Sequence, residues 1–249
     1  MGEENARRIP TELEIEVLQH IADEDEGDHS RWLALVNCAL VCKAWTRYVR
    51  VHLYYAININ MFKGLLLFEH IRQYPHLQPF LREFTWPRNW KASYLSVSNQ
   101  DTIKSVAPTV TKLRVDHQYL EPWLKESIST FTNINELDMT GSIFENWTTV
   151  VRVVSSFPFL ATLAMPCTCP FQVHDDPDDP DDPEVSYPPP SRLVHIKLAS
   201  GCETETVSWI CRESPIPNIG TVEVGSKIDS NVLATLLRSL GGELRHLII

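Results

Sequence analysis

The residues best suited to chemistry cluster between positions 167 and 195. Cys167-Thr168-Cys169, with His174 and His195 nearby, offers soft and borderline metal ligands. Zinc sites are usually built from two spaced pairs, such as Cys-x-x-Cys with a second pair further on. Here the single Cys-x-Cys runs into Pro170, so loop thiols beside a strand are expected and no metal. Asp175, Asp176, Asp178, Asp179, Asp181, Asp182 and Glu184 follow, interrupted by Pro177, Pro180 and Pro183. Calcium loops need spaced ligands and a glycine turn. Proline at every third place prevents wrapping, so the tract is expected to be a solvated spacer or a docking tract for a basic partner.

Catalytic motifs are missing. There is no Gly-x-Ser-x-Gly, His-Glu-x-x-His, Walker loop or Gly-x-Gly-x-x-Gly. With nine glycines in 249 residues, phosphate-cradling loops are not expected. The sequence predicts a binding protein without cofactor or catalytic residues, against an alternative of a hydrolase hidden in the fold.

Composition narrows the partners. Hydrophobic residues make up 43% of the chain and charged residues 22%, which predicts a mostly globular protein. The net charge is −10, most of it from the seven carboxylates of the tract. An acidic chain has no general electrostatic pull on nucleic acid or anionic membrane, so neither is expected as a partner. No apolar stretch approaches the roughly 18 residues that span a bilayer. Leu65-Leu66-Leu67-Phe68 is broken by Lys63 and Glu69, and the polar start, Met1 to Asn5, does not read as a signal peptide. An intracellular site, in cytoplasm or nucleus, is expected, with all six cysteines as free thiols.

Residues 7–53 read as three short helices. Pro10 is pre-shaped for a helix start, and Leu13, Val17 and Ile21 recur at helical spacing with Leu18 beside them. The acidic residues 23–28 end this helix. Ser30 could cap the next, with Leu33, Val36 and Leu40 on one face. Cys42, Trp45 and Val49 carry the third, and Cys38 and Cys42 are expected as small core residues on a shared face.

From residue 54 a template of apolar-x-x-apolar-x-apolar recurs eight times. Its central residues are Ile57, Phe84, Leu113, Leu137, Leu163, Ile196, Val222 and Leu247. Their positions advance by near-equal steps, apart from one long step between Leu163 and Ile196. Pro79, Pro108, Pro158 and Pro217 each stand two places before the first apolar position of a copy. Helical patterns fall between the later copies, at 123–131, 144–157, 206–212 and 229–240. Strands alternating with helices at such a period predict an α/β fold: a repetitive solenoid with a parallel sheet and right-handed crossovers. The long step holds the acidic proline-rich loop, residues 174–190.

The N-terminal segment resembles an F-box, as found in fungal F-box proteins. The resemblance rests on Ile9-Pro10-Thr11-Glu12-Leu13, on Val17-Leu18 with Ile21, and on the run from Ala39 to Trp45; Val51 to Ile57 resembles the segment that leads out of the box. Ile9 stands where leucine is usual. The region that follows resembles leucine-rich repeats. It lacks their asparagine ladder: the matching positions are Asn89, Gln118, Ser142, Thr168, Gly201 and Lys227, so an irregular solenoid is expected.

The resemblance implies a domain boundary near residue 53, with an F-box over 7–53 and a substrate-recruiting region over 54–249. It implies that the box docks on the Skp-family adaptor, and through it the cullin, of a ubiquitin ligase. Contacts are then placed at Ile9, Pro10, Leu13, Leu18, Leu40, Val41 and Trp45. A protein substrate would meet the open sheet face, which carries Lys112, Arg114, Glu136, Asp138, His195, Lys197 and Glu223. Their signs are mixed and do not identify it. The alternative is an interaction scaffold built on the repeats and independent of the ligase. The last template, Leu247-Ile248-Ile249, predicts an apolar strand edge that needs covering by a partner, by self-association or by further repeats.

Overall fold

The structure is a computed structural model that describes residues 11–23, 29–58, 62–86, 97–116, 127–144, 146–166, 187–198, 201–212, 217–225 and 228–249. Cys167, Cys169, His174, the acidic tract, Ile9 and Pro10 lie outside them.

Eight strands form one parallel sheet in strict chain order: β1 (Ala56–Asn58), β2 (Glu83–Trp86), β3 (Lys112–Val115), β4 (Glu136–Asp138), β5 (Thr162–Ala164), β6 (His195–Leu198), β7 (Thr221–Val224) and β8 (His246–Ile248). The eight central template residues stand side by side, each registered on the next from Ile57 to Leu247. From Phe84 to Val222 they are fully buried. Strand side chains alternate, so the residues on either side of each central one face the opposite way.

A repeated backbone joint sets this register. The carbonyl two places before each central residue accepts two N–H groups from the next strand. Tyr55, Arg82, Thr111, Asn135, Ala161, Val194 and Gly220 all do so, at 2.8–3.1 Å. Both lone pairs are used, leaving no orphan acceptor at a crowded joint. The prolines are explained by the turn that leads into the strand. The N–H groups of Leu81, Val110 and Leu160 close tight turns on the carbonyls of Gln78, Ala107 and Phe157. Pro79, Pro108 and Pro158 occupy the second position, where the φ that the proline ring fixes is the φ the turn requires. Pro217 instead offers its carbonyl to Ile219 in a tighter turn.

Helices cover one face of the sheet: α4 (Phe62–Gln73), α5 (Val97–Val106), α6 (Trp147–Ser155), α7 (Glu203–Arg212) and α8 (Ser230–Leu240). The Asn146 side chain accepts from Thr149 N at 2.8 Å to start α6, and Asp229 accepts from Asn231 N at 2.7 Å to start α8. Gly241, at φ +55°, ends α8 in the left-handed region that glycine tolerates. Four side chains of α6, Val150, Val151, Val153 and Val154, enter the core between helices and sheet. Phe68, Phe84, Trp86 and Phe131 form its aromatic end, with ring centroids 5.3–5.8 Å apart along the chain of contacts. Helices α4 and α5 have no counterpart among the helical patterns expected from sequence. Of the positions compared with an asparagine ladder, Ser142 does brace its turn, donating to Val115 O at 2.5 Å, and Gly201 meets its turn with φ +112°. Asn89, Gln118, Thr168 and Lys227 lie outside the described residues.

The long step leaves the sheet undisturbed: β5 pairs β6, Leu163 against Ile196. Its far end corrects the expectation of a spacer throughout 174–190, because residues 187–190 pack on the helices. Arg152 Nε donates to Tyr187 Oη at 3.0 Å, Trp209 Nε1 to Tyr187 O at 2.6 Å, and Ser155 Oγ to Pro188 O at 2.7 Å. Pro189 and Pro190 are buried. Shortening the loop within 174–184 is therefore expected to change stability by less than about 1 kcal/mol, since halving a loop alters closure entropy by about 0.6 kcal/mol. Extending the cut through Pro190 should cost several-fold more, because the partners on α6 and α7 are then stranded. Paired thermal melts of the two deletions check this; equal melting points would contradict it.

Ahead of the sheet, α1 (Thr11–Asp23), α2 (His29–Ala39) and α3 (Lys43–Leu53) form a separate small core around Leu18, Leu35 and Val49. Ser30 lies inside α2, not at its cap. Cys38 is half-buried, with burial raising its thiol pKa, but Cys42 is exposed at the start of α3, so the expected pair of core thiols is not formed. Tyr54 and Tyr55 separate α3 from β1. Tyr54 stacks on His70 of α4 with centroids 5.9 Å apart and Oη 3.1 Å from Nε2.

Candidate functional site

Two surfaces qualify, one on the helical unit and one on the sheet. The helical unit is small: among the residues whose burial is described, Leu18, Leu35 and Val49 are fully buried, and Ile21, Cys38, Ala39, Trp45, Tyr48 and Leu53 pack on them partly buried. Much of its remaining apolar surface faces outward. Leu13 is 49% exposed, Leu40 79% and Val41 64%; Ile15, Val17, Leu33 and Val51 are also exposed.

Helices α1 and α3 leave an apolar groove of about 340 Å³ between them. Its walls are Glu14, Ile15 and Leu18 of α1, and Ala44, Trp45, Arg47, Tyr48 and Val51 of α3. Trp45 is half-buried, and its indole N–H donates to Glu14 Oε2 at 3.0 Å. That bond fixes the ring in the groove wall with its polar atom satisfied.

Of the contact residues expected from sequence, Leu13, Leu40 and Val41 are thus presented to solvent and Trp45 lines the groove. Leu18 stands apart from these. At 1% exposed it belongs to the unit's own core, and it reaches the groove only as floor. Its role is to hold α1, α2 and α3 together. Ile9 and Pro10 fall outside the described residues. For Ile15, Val17, Leu33 and Val51, helical periodicity marks the residues as apolar but does not say which stripe is core.

On the open sheet face all seven expected residues come together, in two rows. They are largely occupied with one another. Lys112 Nζ lies 3.2 Å from Glu136 Oε1 and 3.7 Å from Glu83 Oε2; Arg114 Nε lies 3.4 Å from Asp138 Oδ2; Lys197 pairs with Glu223. Asp138 Oδ1 also accepts from Thr140 N and Oγ1, at 3.0 and 2.7 Å. Each pair joins neighbouring strands; Glu83 is buried, while the other pairs are half-exposed and contribute little, about 0–1 kcal/mol each. The middle of the face, at β5, carries only Thr162 and Ala164. Beside it His195 Nε2 is buried with no hydrogen-bond partner among the described residues.

No group of three or more His, Cys, Asp or Glu side chains able to hold a metal ion occurs among the described residues. No described helix is long and apolar enough to cross a membrane. Set against known proteins, the chain matches no protein-family model and no curated protein significantly.

Proposed function

We propose that the protein is a substrate-recruiting adaptor of a Skp–cullin–F-box ubiquitin ligase. In this reading α1 to α3 are an F-box that docks on the Skp-family adaptor. The parallel stack behind it is an irregular leucine-rich-repeat scaffold that presents a protein substrate. The observation that carries the reading is the exposed apolar surface of the helical unit: seven large apolar side chains face solvent beside a core of three fully buried residues and six partly buried ones. So small a unit buries too little surface to be robust alone, and a shared core with a partner resolves that. Ubiquitin transfer belongs to other subunits; this chain supplies proximity, raising the substrate's effective concentration at the conjugating enzyme.

The self-paired charges of the sheet face suit a recruiting surface that stays soluble when empty. Binding there exchanges weak internal pairs for pairs with the substrate, which favours selectivity over affinity. The test is direct. The full chain mixed with a purified Skp-family adaptor is expected to form a one-to-one complex on gel filtration and to release heat on titration. Failure to bind at micromolar concentrations would exclude the assignment.

A further inference from the structure

Along one edge of the groove α3 carries a basic stripe, in a chain whose net charge is −10. Lys43, Arg47 and Arg50 are all exposed. Spaced four and three places apart, they form a single stripe along α3. Arg47 lines the groove itself. No ion pair joins any of the three to a carboxylate among the described residues. Like charges at this spacing repel one another and mildly destabilise the helix that carries them. The one carboxylate in the groove wall, Glu14, is turned onto the Trp45 indole.

The floor beside this stripe is apolar: Ile15, Leu18, Ala44, Tyr48 and Val51. The groove runs along α3 from Ala44 to Val51, about 11 Å, so it can seat about two turns of a second helix. We propose that the element received here is an amphipathic helix of the partner, with an apolar face on the groove floor and carboxylates along the Lys43, Arg47 and Arg50 side. The inference rests on the docking reading above and adds the chemistry of the partner's contact. It assigns two separate jobs. Exposed apolar side chains hold the complex, and the basic stripe steers its formation and relieves its own repulsion when the acidic helix arrives.

The separation of jobs is measurable. Association and dissociation rates of the full chain with a purified Skp-family adaptor are followed as salt is raised, for the parent and for a variant carrying Lys43→Gln, Arg47→Gln and Arg50→Gln together. All three side chains are exposed, so the variant should fold; its circular dichroism and melting point verify this. The expected result is an association rate about tenfold lower at low salt, a much flatter salt dependence and a nearly unchanged dissociation rate. A variant with Leu40→Ala and Val41→Ala should do the reverse, raising the dissociation rate and keeping the parent's salt slope. Binding by the parent with the same salt slope in the triple variant overturns this inference alone. No binding by the parent overturns the docking reading and this inference with it.

Discussion

Replacing Leu40 and Val41 together by alanine is expected to weaken binding of a Skp-family adaptor by well over tenfold and to leave the fold's stability almost untouched. The two effects separate because of where these side chains sit. At 79% and 64% exposed, neither belongs to the core of the helical unit. They occupy the tight connection between α2 and α3, where Leu40 N and Val41 N bond back to Asn37 O and Cys38 O. That holds two large apolar groups in place on a rigid corner. A side chain that acts as an interface hot spot costs about 2–4 kcal/mol when truncated, roughly 30- to 900-fold in affinity. Leu18→Ala is the contrast. It removes one of the three fully buried side chains of the unit's core, at a cost of about 2–5 kcal/mol to the unit. Adaptor binding would fall there as well, but with loss of helical signal. Trp45→Ala is less informative, since the ring both lines the groove and covers the core. Isothermal titration beside thermal melts distinguishes the variants. An unchanged dissociation constant in the Leu40/Val41 double variant would exclude this corner from the interface.

How much could be read from sequence differs sharply between the two parts of the chain. In the sheet, two periods coincide: alternation within a strand and the return of the template once per repeat. The central residues Phe84, Leu113, Leu137, Leu163, Ile196 and Val222 satisfy both, and each is fully buried and in register. A slip of one place would turn the whole buried set outward, so the pattern fixes the pairing. The helical unit offers no such redundancy. Leu13 and Val17 share one stripe of α1 while Leu18 and Ile21 share another, and only the second meets Leu35 and Val49. A short helix with apolar residues on two sides does not state which side is core and which is interface. The acidic loop misled differently. Its prolines and carboxylates signal a spacer, yet the segment closes with Tyr187, a large aromatic that found Arg152 and Trp209. On the sheet face the alternation placed the charges correctly in two rows, but their pairing depends on strand register, which brings Lys112 beside Glu136 and Arg114 beside Asp138.

The register also predicts how destabilisation should vary along the stack. Leu137→Ala in the middle strand is expected to cost about 2–5 kcal/mol, the usual range for a fully buried leucine. Leu137 stands between Leu113 and Leu163 in the row of central residues, so the cavity has neighbouring strands on both sides and cannot collapse by moving an edge. Leu247→Ala removes the same side chain from the same position of the template. There Leu247 is 38% exposed, and only β7 pairs with its strand among the described residues. Less apolar area leaves the protein interior, and the edge can relax, so about 1–2 kcal/mol is expected. In a chain of neighbour contacts the two losses should also differ in kind. The central change should lower the cooperativity of unfolding by separating the two halves, while the edge change should fray β8 alone. Urea titration followed by tryptophan fluorescence measures the first. Amide exchange of His246 to Ile248 against that of Thr162 to Ala164 measures the second. Equal costs for the two leucines would mean that the stack unfolds as a single block and that position along it carries no weight.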